Sequence, residues 1–104
     1  MEAMNALADP TRRRIVELLA DGELSAGELA AEFQTSRPGV SRHLRVLREH
    51  GLVRAREHGQ RRLYSLDPAP LAELDAWLAR YRPFWTNRLD ALETELKRRR
   101  KAGT

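Results

Sequence analysis

Apolar residues recur every three or four positions over most of the chain, which predicts a mainly helical protein. A short first helix ends ahead of Asp9-Pro10. A second helix begins there and ends near Asp21, because Asp9 suits the N-cap and Pro10 the first helical position. A third helix starts at Ser25-Ala26-Gly27-Glu28, which has the spacing of a capping box, and continues to Phe33.

A fourth helix follows a turn at Gln34-Thr35, with Ser36 as its cap and Gly51 as its stop signal. Its residues divide into two faces. Leu44 and Leu47 fall within about 40° of Val40, whereas serine and arginine occupy the other side. An arginine-rich helix of this kind fits the major groove of DNA, where arginine donates two hydrogen bonds to guanine.

After Gly51 the pattern changes from the period of a helix to that of a strand. The segments Leu52 to His58 and Arg61 to Leu66 are predicted to form a hairpin around His58-Gly59-Gln60. A long helical pattern follows from Leu71 to Leu96, and Pro83 is expected to kink it or to divide it into two helices.

The predicted fold is therefore mainly α with a small β-hairpin, in the order ααααββα, with a long Pro83-kinked C-terminal helix. Two short helices followed by a basic hairpin are typical of a winged helix-turn-helix. Residues 1–96 are expected to form a single domain, and the basic residues 97–104 a frayed tail.

Charge is distributed unevenly along the 104 residues, whose net charge is +4. Residues 1–35 carry −4, residues 36–62 carry +6 together with all three histidines, and residues 67–104 carry +2. A basic segment behind an acidic one is expected of a surface that binds a polyanion. Nucleic acid is therefore the predicted partner.

The first residues of the fourth helix, Arg37, Ser41 and Arg42, are the predicted readers of base edges, and Arg45 is expected to meet phosphate with Arg48. In the hairpin, Arg61 is the stronger candidate, since Arg62 could instead pair with an internal carboxylate. The predicted DNA contacts are Ser36, Arg37, Pro38, Ser41, Arg42, Arg45, Arg56, His58, Gln60, Arg61 and Arg62.

Several of these segments resemble the ArsR/SmtB family of bacterial regulators over about residues 5–66. They are Ala6-Leu7-Ala8-Asp9-Pro10-Thr11-Arg12-Arg13-Arg14-Ile15, the helix from Ser25 to Phe33, Ser36-Arg37-Pro38-Gly39-Val40-Ser41-Arg42-His43-Leu44, and Leu47 with His50-Gly51-Leu52-Val53. The resemblance implies a homodimeric repressor that binds an inverted repeat near its own promoter. It also implies that the first and last helices form the dimer interface. A cytoplasmic location is expected separately, because the sequence shows neither a signal peptide nor a membrane-spanning apolar run.

Four of the six aromatic residues lie within nine positions of the C-terminal pattern, which is more apolar surface than one small domain requires. We therefore predict a dimer interface there. Its predicted residues in this pattern are Leu74, Trp77, Leu78, Tyr81, Phe84, Trp85, Leu89 and Leu92, and the resemblance adds Met4 and Leu7 of the first helix.

The chain lacks the residues of other functional classes. It has no cysteine, and residues 67–104 contain no histidine, so neither the cysteine site nor the histidine site of the family's metal sensors is present. No catalytic arrangement, cofactor motif, signal peptide or membrane-spanning apolar run is recognisable. Two alternatives stay open: a regulator gated by a small apolar ligand, and a winged-helix module that binds an acidic protein.

Overall fold

The computed structural model describes residues 2–34 and 36–103, which form six helices and one three-stranded sheet. In chain order the elements are α1 (Glu2–Ala6), α2 (Pro10–Leu19), β1 (Leu24–Ser25), α3 (Ala26–Ala31), α4 (Arg37–Glu49), β2 (Val53–His58), β3 (Arg61–Leu66), α5 (Ala69–Ala79) and α6 (Arg82–Ala102). The predicted mainly helical fold with a hairpin after the fourth helix is confirmed.

Side-chain caps begin the three central helices, as predicted. Asp9 accepts hydrogen bonds from the backbone N–H groups of Thr11 and Arg12 at the start of α2. Ser25 and Glu28 form the complete capping box of α3. Oγ of Ser36 accepts a hydrogen bond from the Gly39 N–H at 3.3 Å, which fixes where α4 begins. Part of the predicted turn at Gln34-Thr35 lies outside the described residues, because Thr35 is not described.

Helices α2 and α3 each end two residues earlier than predicted, at Leu19 and Ala31. Hydrogen bonds to the third preceding carbonyl follow in both places, from Asp21 to Leu18 and from Phe33 to Ala30. The chain therefore leaves each helix through a tightened turn, which the apolar spacing alone does not distinguish from a further helical turn.

Strands β2 and β3 form the predicted antiparallel hairpin, in which Ala55 lies opposite Tyr64 and His58 opposite Arg61. Gly59 turns the chain with φ at +64°, a conformation that glycine adopts without steric cost. The sequence did not predict β1, which pairs with β3 and makes a sheet of order β1-β3-β2. Two residues are too few to show a strand period.

The core lies between α2, α3, α4 and the sheet. The apolar face predicted for α4 is confirmed, since Val40, Leu44 and Leu47 are at most 1% exposed. The other buried apolar residues are Ala3, Ala6, Ile15, Leu19, Leu29, Leu52, Val53 and Tyr64. Burial of this face orients α4 and turns its arginines outward.

Of the two outcomes expected at Pro83, a kink or a division, the structure shows the division, because it has two helices there, α5 and α6. Pro83 lies in the first turn of α6, where a missing N–H breaks no helical hydrogen bond, so it starts a helix instead of kinking one. Helix α6 extends to Ala102, so residues 97–102 of the segment expected to fray are helical, whereas Thr104 lies outside the described residues.

The chain forms two compact units, one ending at Leu74 and the other beginning at Asp75. No helix of the described residues is both long enough and apolar enough to cross a membrane.

Candidate nucleic-acid interface

The exposed side of α4 carries Ser41, Arg42, Arg45 and Arg48, all accessible to solvent. These residues lie opposite the buried stripe of the same helix, as predicted from its spacing. No carboxylate within residues 2–34 or 36–103 forms an ion pair with the three arginines. Their positive charge is therefore not neutralised by the protein.

A groove runs between this side of α4 and strand β3, and we refer to it as the arginine groove. It brings four guanidinium groups around one concave surface. Its lining residues are Pro38, Ser41, Arg42, Arg45, Arg48, Arg62 and Tyr64. The guanidinium carbon of Arg62 lies 5.8 Å from the centre of the Tyr64 ring, within the range of a cation–π contact. Tyr64 is itself 7% exposed, so a core residue holds Arg62 at the groove.

Alternation along the hairpin gives it two faces, because successive strand residues point to opposite sides of a sheet. The inner face, toward the core and the arginine groove, carries Ala55, Arg62 and Tyr64. The outer face carries the residues of opposite parity, namely Arg54, Arg56, His58 and Arg61. Among the hairpin residues predicted to contact DNA, Arg62 is therefore the one that lines the groove.

Each arginine of the outer face has a carboxylate partner. Arg54 pairs with Asp67 at 3.0 Å, and Arg61 pairs with Glu28. Arg56 donates two hydrogen bonds to Glu23, at 2.7 and 2.8 Å, which is the bidentate geometry that suits guanidinium and carboxylate. Three of the basic residues in the hairpin are thus locally neutralised.

These contacts stabilise the ionised forms of the groups involved. The hydrogen bond from Arg56 lowers the pKa of Glu23, and the same bond raises the pKa of Arg56. The pKa of Asp67 is lowered mainly by the hydrogen bond from the Ala69 N–H, with a smaller contribution from Arg54. All of these groups are therefore charged at neutral pH.

A second depression lies at the tip of the hairpin, and we refer to it as the hairpin-tip niche. The Arg37 side chain borders it and lies against α3, since a Cβ placed on Gly27 would be 3.4 Å from its Nη2 atom. The lining residues of this niche are Ser25, Ala26, Arg37, Gln60, Arg61, Arg62 and Tyr64. Arg37 is thus placed between α3 and the hairpin, apart from the α4 arginines that line the groove, and it shares the niche with Arg62.

The predicted contacts are accordingly distributed over three places. Pro38, Ser41, Arg42, Arg45 and Arg62 lie in the arginine groove, together with Arg48 and Tyr64, which the list of predicted contacts lacked. Arg37, Gln60 and Arg61 border the niche, and Ser36 is the exposed cap of α4. Arg56 and His58 are on the outer face. From the sequence, Arg62 could have paired with a carboxylate, but in the structure it is Arg61 that pairs with one, that of Glu28.

The C-terminal unit exposes much of its apolar surface. The ring centres of Trp77 and Tyr81 are 4.9 Å apart and those of Tyr81 and Phe84 6.4 Å apart, yet Phe84 is 71% exposed. Leu89 and Leu92 on α6 are 60% and 55% exposed. Patches of this kind are typical of a protein interface.

The remaining predicted interface residues differ in exposure. Met4, Leu78 and Trp85 are exposed, whereas Leu7 and Leu74 pack partly against the core of the N-terminal unit. No group of three or more histidine, aspartate or glutamate side chains suited to a metal ion is present in the described part of the chain.

Comparison with known proteins places this geometry in a family context. A model described as a helix-turn-helix domain matches residues 7–56. The HTH-type transcriptional regulator Rv2034 of Mycobacterium tuberculosis is 54% identical over 87 residues, which cover 84% of this chain and 78% of that protein. The transcriptional repressor SdpR of Bacillus subtilis is 36% identical over 76 residues, covering 73% of this chain and 84% of SdpR.

A solved relative has the same fold. It is the homodimeric winged helix-turn-helix DNA-binding domain of Mb0332 from Mycobacterium bovis, described as a possible ArsR-family transcriptional regulator. The TM-score is 0.64 and the identity 32%, over 75% of this chain and 72% of that one. The winged helix-turn-helix predicted from the sequence is confirmed.

Proposed function

The chain belongs to the ArsR/SmtB family of DNA-binding transcriptional regulators, which are not enzymes, and from this premise we propose that it is a homodimeric repressor of an inverted-repeat operator near its own promoter. The observation that carries the proposal is the arginine groove, where four guanidinium groups with no carboxylate partner among residues 2–34 and 36–103 border the exposed side of α4.

The groove supports a division of labour along α4. Residues near the start of a recognition helix usually meet base edges, which assigns sequence reading to Ser41 and Arg42. Arg45 and Arg48, one and two turns further on, are placed to neutralise phosphates. Arg62 approaches the same groove from the hairpin, where a guanidinium can follow the backbone or enter a narrow minor groove. Ser36 and Pro38 set the start of the helix.

Self-association is supported by the exposed apolar surface of the C-terminal unit and by the homodimeric state of the Mb0332 domain. We propose that Trp77, Phe84, Leu89 and Leu92 contribute most of the interface, with Met4, Leu78, Tyr81 and Trp85 around them. Leu7 and Leu74 would support it from the N-terminal unit. Residues 1–96 then act together in DNA binding and dimerisation.

The test is footprinting of the purified protein on the DNA upstream of its own coding sequence. We expect two protected half-sites with centres roughly 10–11 bp apart. If six to ten phosphates are neutralised, log affinity falls against log salt with a slope of about −5 to −9. Equal affinity for upstream and random DNA would contradict the proposed operator. A protein that binds an acidic protein but no DNA would instead be a protein-interaction module.

The dimer is tested separately by light scattering. Leu89→Glu places a charge in the exposed apolar patch and is expected to yield monomers with weaker operator binding. Thr94→Glu adds the same charge about 140° further round α6 and serves as the matched control. A Leu89→Glu protein that keeps the wild-type mass would remove α6 from the interface.

A further inference from the structure

One carboxylate oxygen links the start of α3 to the tip of the hairpin. Oε1 of Glu28 accepts a hydrogen bond from the Ser25 N–H at 3.1 Å and another from Nη2 of Arg61. The Glu28 N–H in turn donates to Oγ of Ser25 at 3.2 Å, which completes the capping box. Glu28 therefore has a partner in its own helix that does not depend on Arg61.

The pKa shifts separate this pair from the neighbouring one. The pKa of Glu28 is lowered first by its hydrogen bonds with Ser25, and the influence of Arg61 ranks lower. The pKa of Glu23 is lowered first by Arg56, which holds it with two hydrogen bonds. Glu28 thus stays stabilised as an anion when Arg61 leaves, whereas Glu23 would lose its main partner if Arg56 left.

Arg61 is also placed where another anion can reach it. It lies directly after the turn of the hairpin, and its side chain is 55% exposed. It borders the hairpin-tip niche together with Arg37, Gln60 and Arg62. Neither Arg37 nor Arg62 forms an ion pair with a carboxylate of the described residues, so an anion that enters the niche meets two further guanidinium groups.

We propose that a DNA phosphate displaces the Glu28 carboxylate from Arg61 on binding, so that Glu28 acts as a brake on the affinity for DNA of any sequence. The proposal rests on the DNA-binding function proposed above. An exposed ion pair contributes little net stability, and Glu28 keeps its bond to Ser25, so the exchange is inexpensive. The exchange nevertheless lowers the affinity of every complex in which Arg61 contacts a phosphate.

A brake of this kind affects operator and random DNA alike, because phosphate contacts carry no sequence information. It lowers the amount of protein held on non-specific DNA while the sequence-reading contacts of α4 stay unchanged. Glu28 would therefore set the protein concentration at which the operator is occupied.

The test uses Glu28→Gln in the full-length protein, with affinity for a random duplex measured by fluorescence anisotropy. Glutamine at this position preserves the capping box, so the fold is retained and only the charge facing Arg61 is lost. We expect binding about 2- to 5-fold tighter than that of the wild type, the range that an exposed ion pair supports. Operator affinity is expected to rise by the same factor.

Two further variants make the test specific. Glu23→Gln removes an equal charge from the neighbouring pair and is expected to change the affinity less than 1.5-fold, about the lower limit for an exposed pair. Arg61→Ala is expected to weaken binding and to make the salt slope shallower by about 0.9, the value for one phosphate. When Glu28→Gln is added to Arg61→Ala, the affinity for DNA should stay at that of Arg61→Ala alone.

The outcomes separate the proposal from its premise. An equal gain from Glu23→Gln would show a general effect of net charge and overturn the brake. Unchanged or weaker binding by Glu28→Gln would also overturn it, since Glu28 would then position the hairpin for DNA. A wild-type protein that binds neither random nor upstream DNA would contradict the proposed function itself.

Discussion

The arginines of the arginine groove and those of the outer face differ in their partners, although they are close in sequence. Arg42, Arg45 and Arg48 on α4 have no ion pair in the described part of the chain, whereas Arg54 and Arg56 on β2 each hold a carboxylate. Exposure does not separate the two groups, since the side chains of Arg54 and Arg56 are still 70% and 54% exposed.

The difference matters because a paired guanidinium must give up a carboxylate before it can bind a phosphate. The arginines of the groove need no such exchange. Arg62 belongs to this group because it lies on the same face of β3 as Tyr64 and contacts its ring. A count of basic residues therefore overstates the binding surface of the hairpin. The outer face holds the hairpin to the segment before α3 through Glu23, to α3 itself through Glu28, and to the segment after β3 through Asp67.

The sharpest way to break this comparison is to remove one arginine from each group. Arg42→Ala is expected to weaken operator binding about 10- to 100-fold, since a bidentate base contact is worth about 1–3 kcal/mol. Random DNA should lose less, because it lacks the matching base. Competition gel shifts on both duplexes measure the ratio.

Arg54→Ala is the control, since it removes the same charge from an arginine paired with Asp67. We expect operator affinity within about twofold of the wild type, because Arg54 is already paired with a carboxylate and an exposed pair of this kind contributes little. Equal losses from Arg42→Ala and Arg54→Ala would abolish the distinction between the two groups.

A smaller effect is expected when the two faces of the hairpin are compared. Arg62→Ala should weaken operator and random DNA by the same factor and make the salt slope shallower by about 0.9, as the loss of one phosphate contact requires. Arg56→Ala should leave the slope unchanged and lower the free energy of unfolding only slightly, because an exposed ion pair contributes little to stability. Salt titrations and urea denaturation of both variants provide the measurements. A shallower slope for Arg56→Ala would return Arg56 to the DNA contacts.

Local signals in the sequence predicted the parts of the fold that depend on neighbouring residues. The caps at Asp9, Ser25 and Ser36 were predicted because a cap side chain and the backbone N–H that donates to it lie two or three positions apart. The buried stripe of α4 followed from helical geometry, and with it the outward direction of Arg42 and Arg45.

Long-range pairing was beyond the same signals. Strand β1 exists because Leu24 lies opposite Tyr64, forty positions later in the chain. The partners Glu23 and Glu28 are each 33 positions from their arginines, so their pairing depends on how the sheet is assembled. The alternation along β2 did predict that Arg54 and Arg56 lie on the face away from the core, since they alternate with residues that face the core.

The smallest expected effect is the pH dependence that the outer face adds to stability. Glu23 has a pKa below the ordinary glutamate value of about 4.3, chiefly because Arg56 donates to it. The unfolded chain therefore binds more protons below about pH 5, and this contribution to stability, present at higher pH, is lost as the pH falls through the lowered pKa of Glu23. The guanidinium of Arg56 stays charged throughout, so the carboxylate alone titrates.

We expect the free energy of unfolding, measured in urea at pH 7, 5 and 3.5, to fall less steeply with acidification in Arg56→Ala than in the wild type. Arg42→Ala, which removes a guanidinium without a carboxylate partner, should retain the wild-type pH dependence. If Arg42→Ala flattened the curve as much as Arg56→Ala, the groove arginines would have carboxylate partners in solution, and the two groups of arginines would no longer differ.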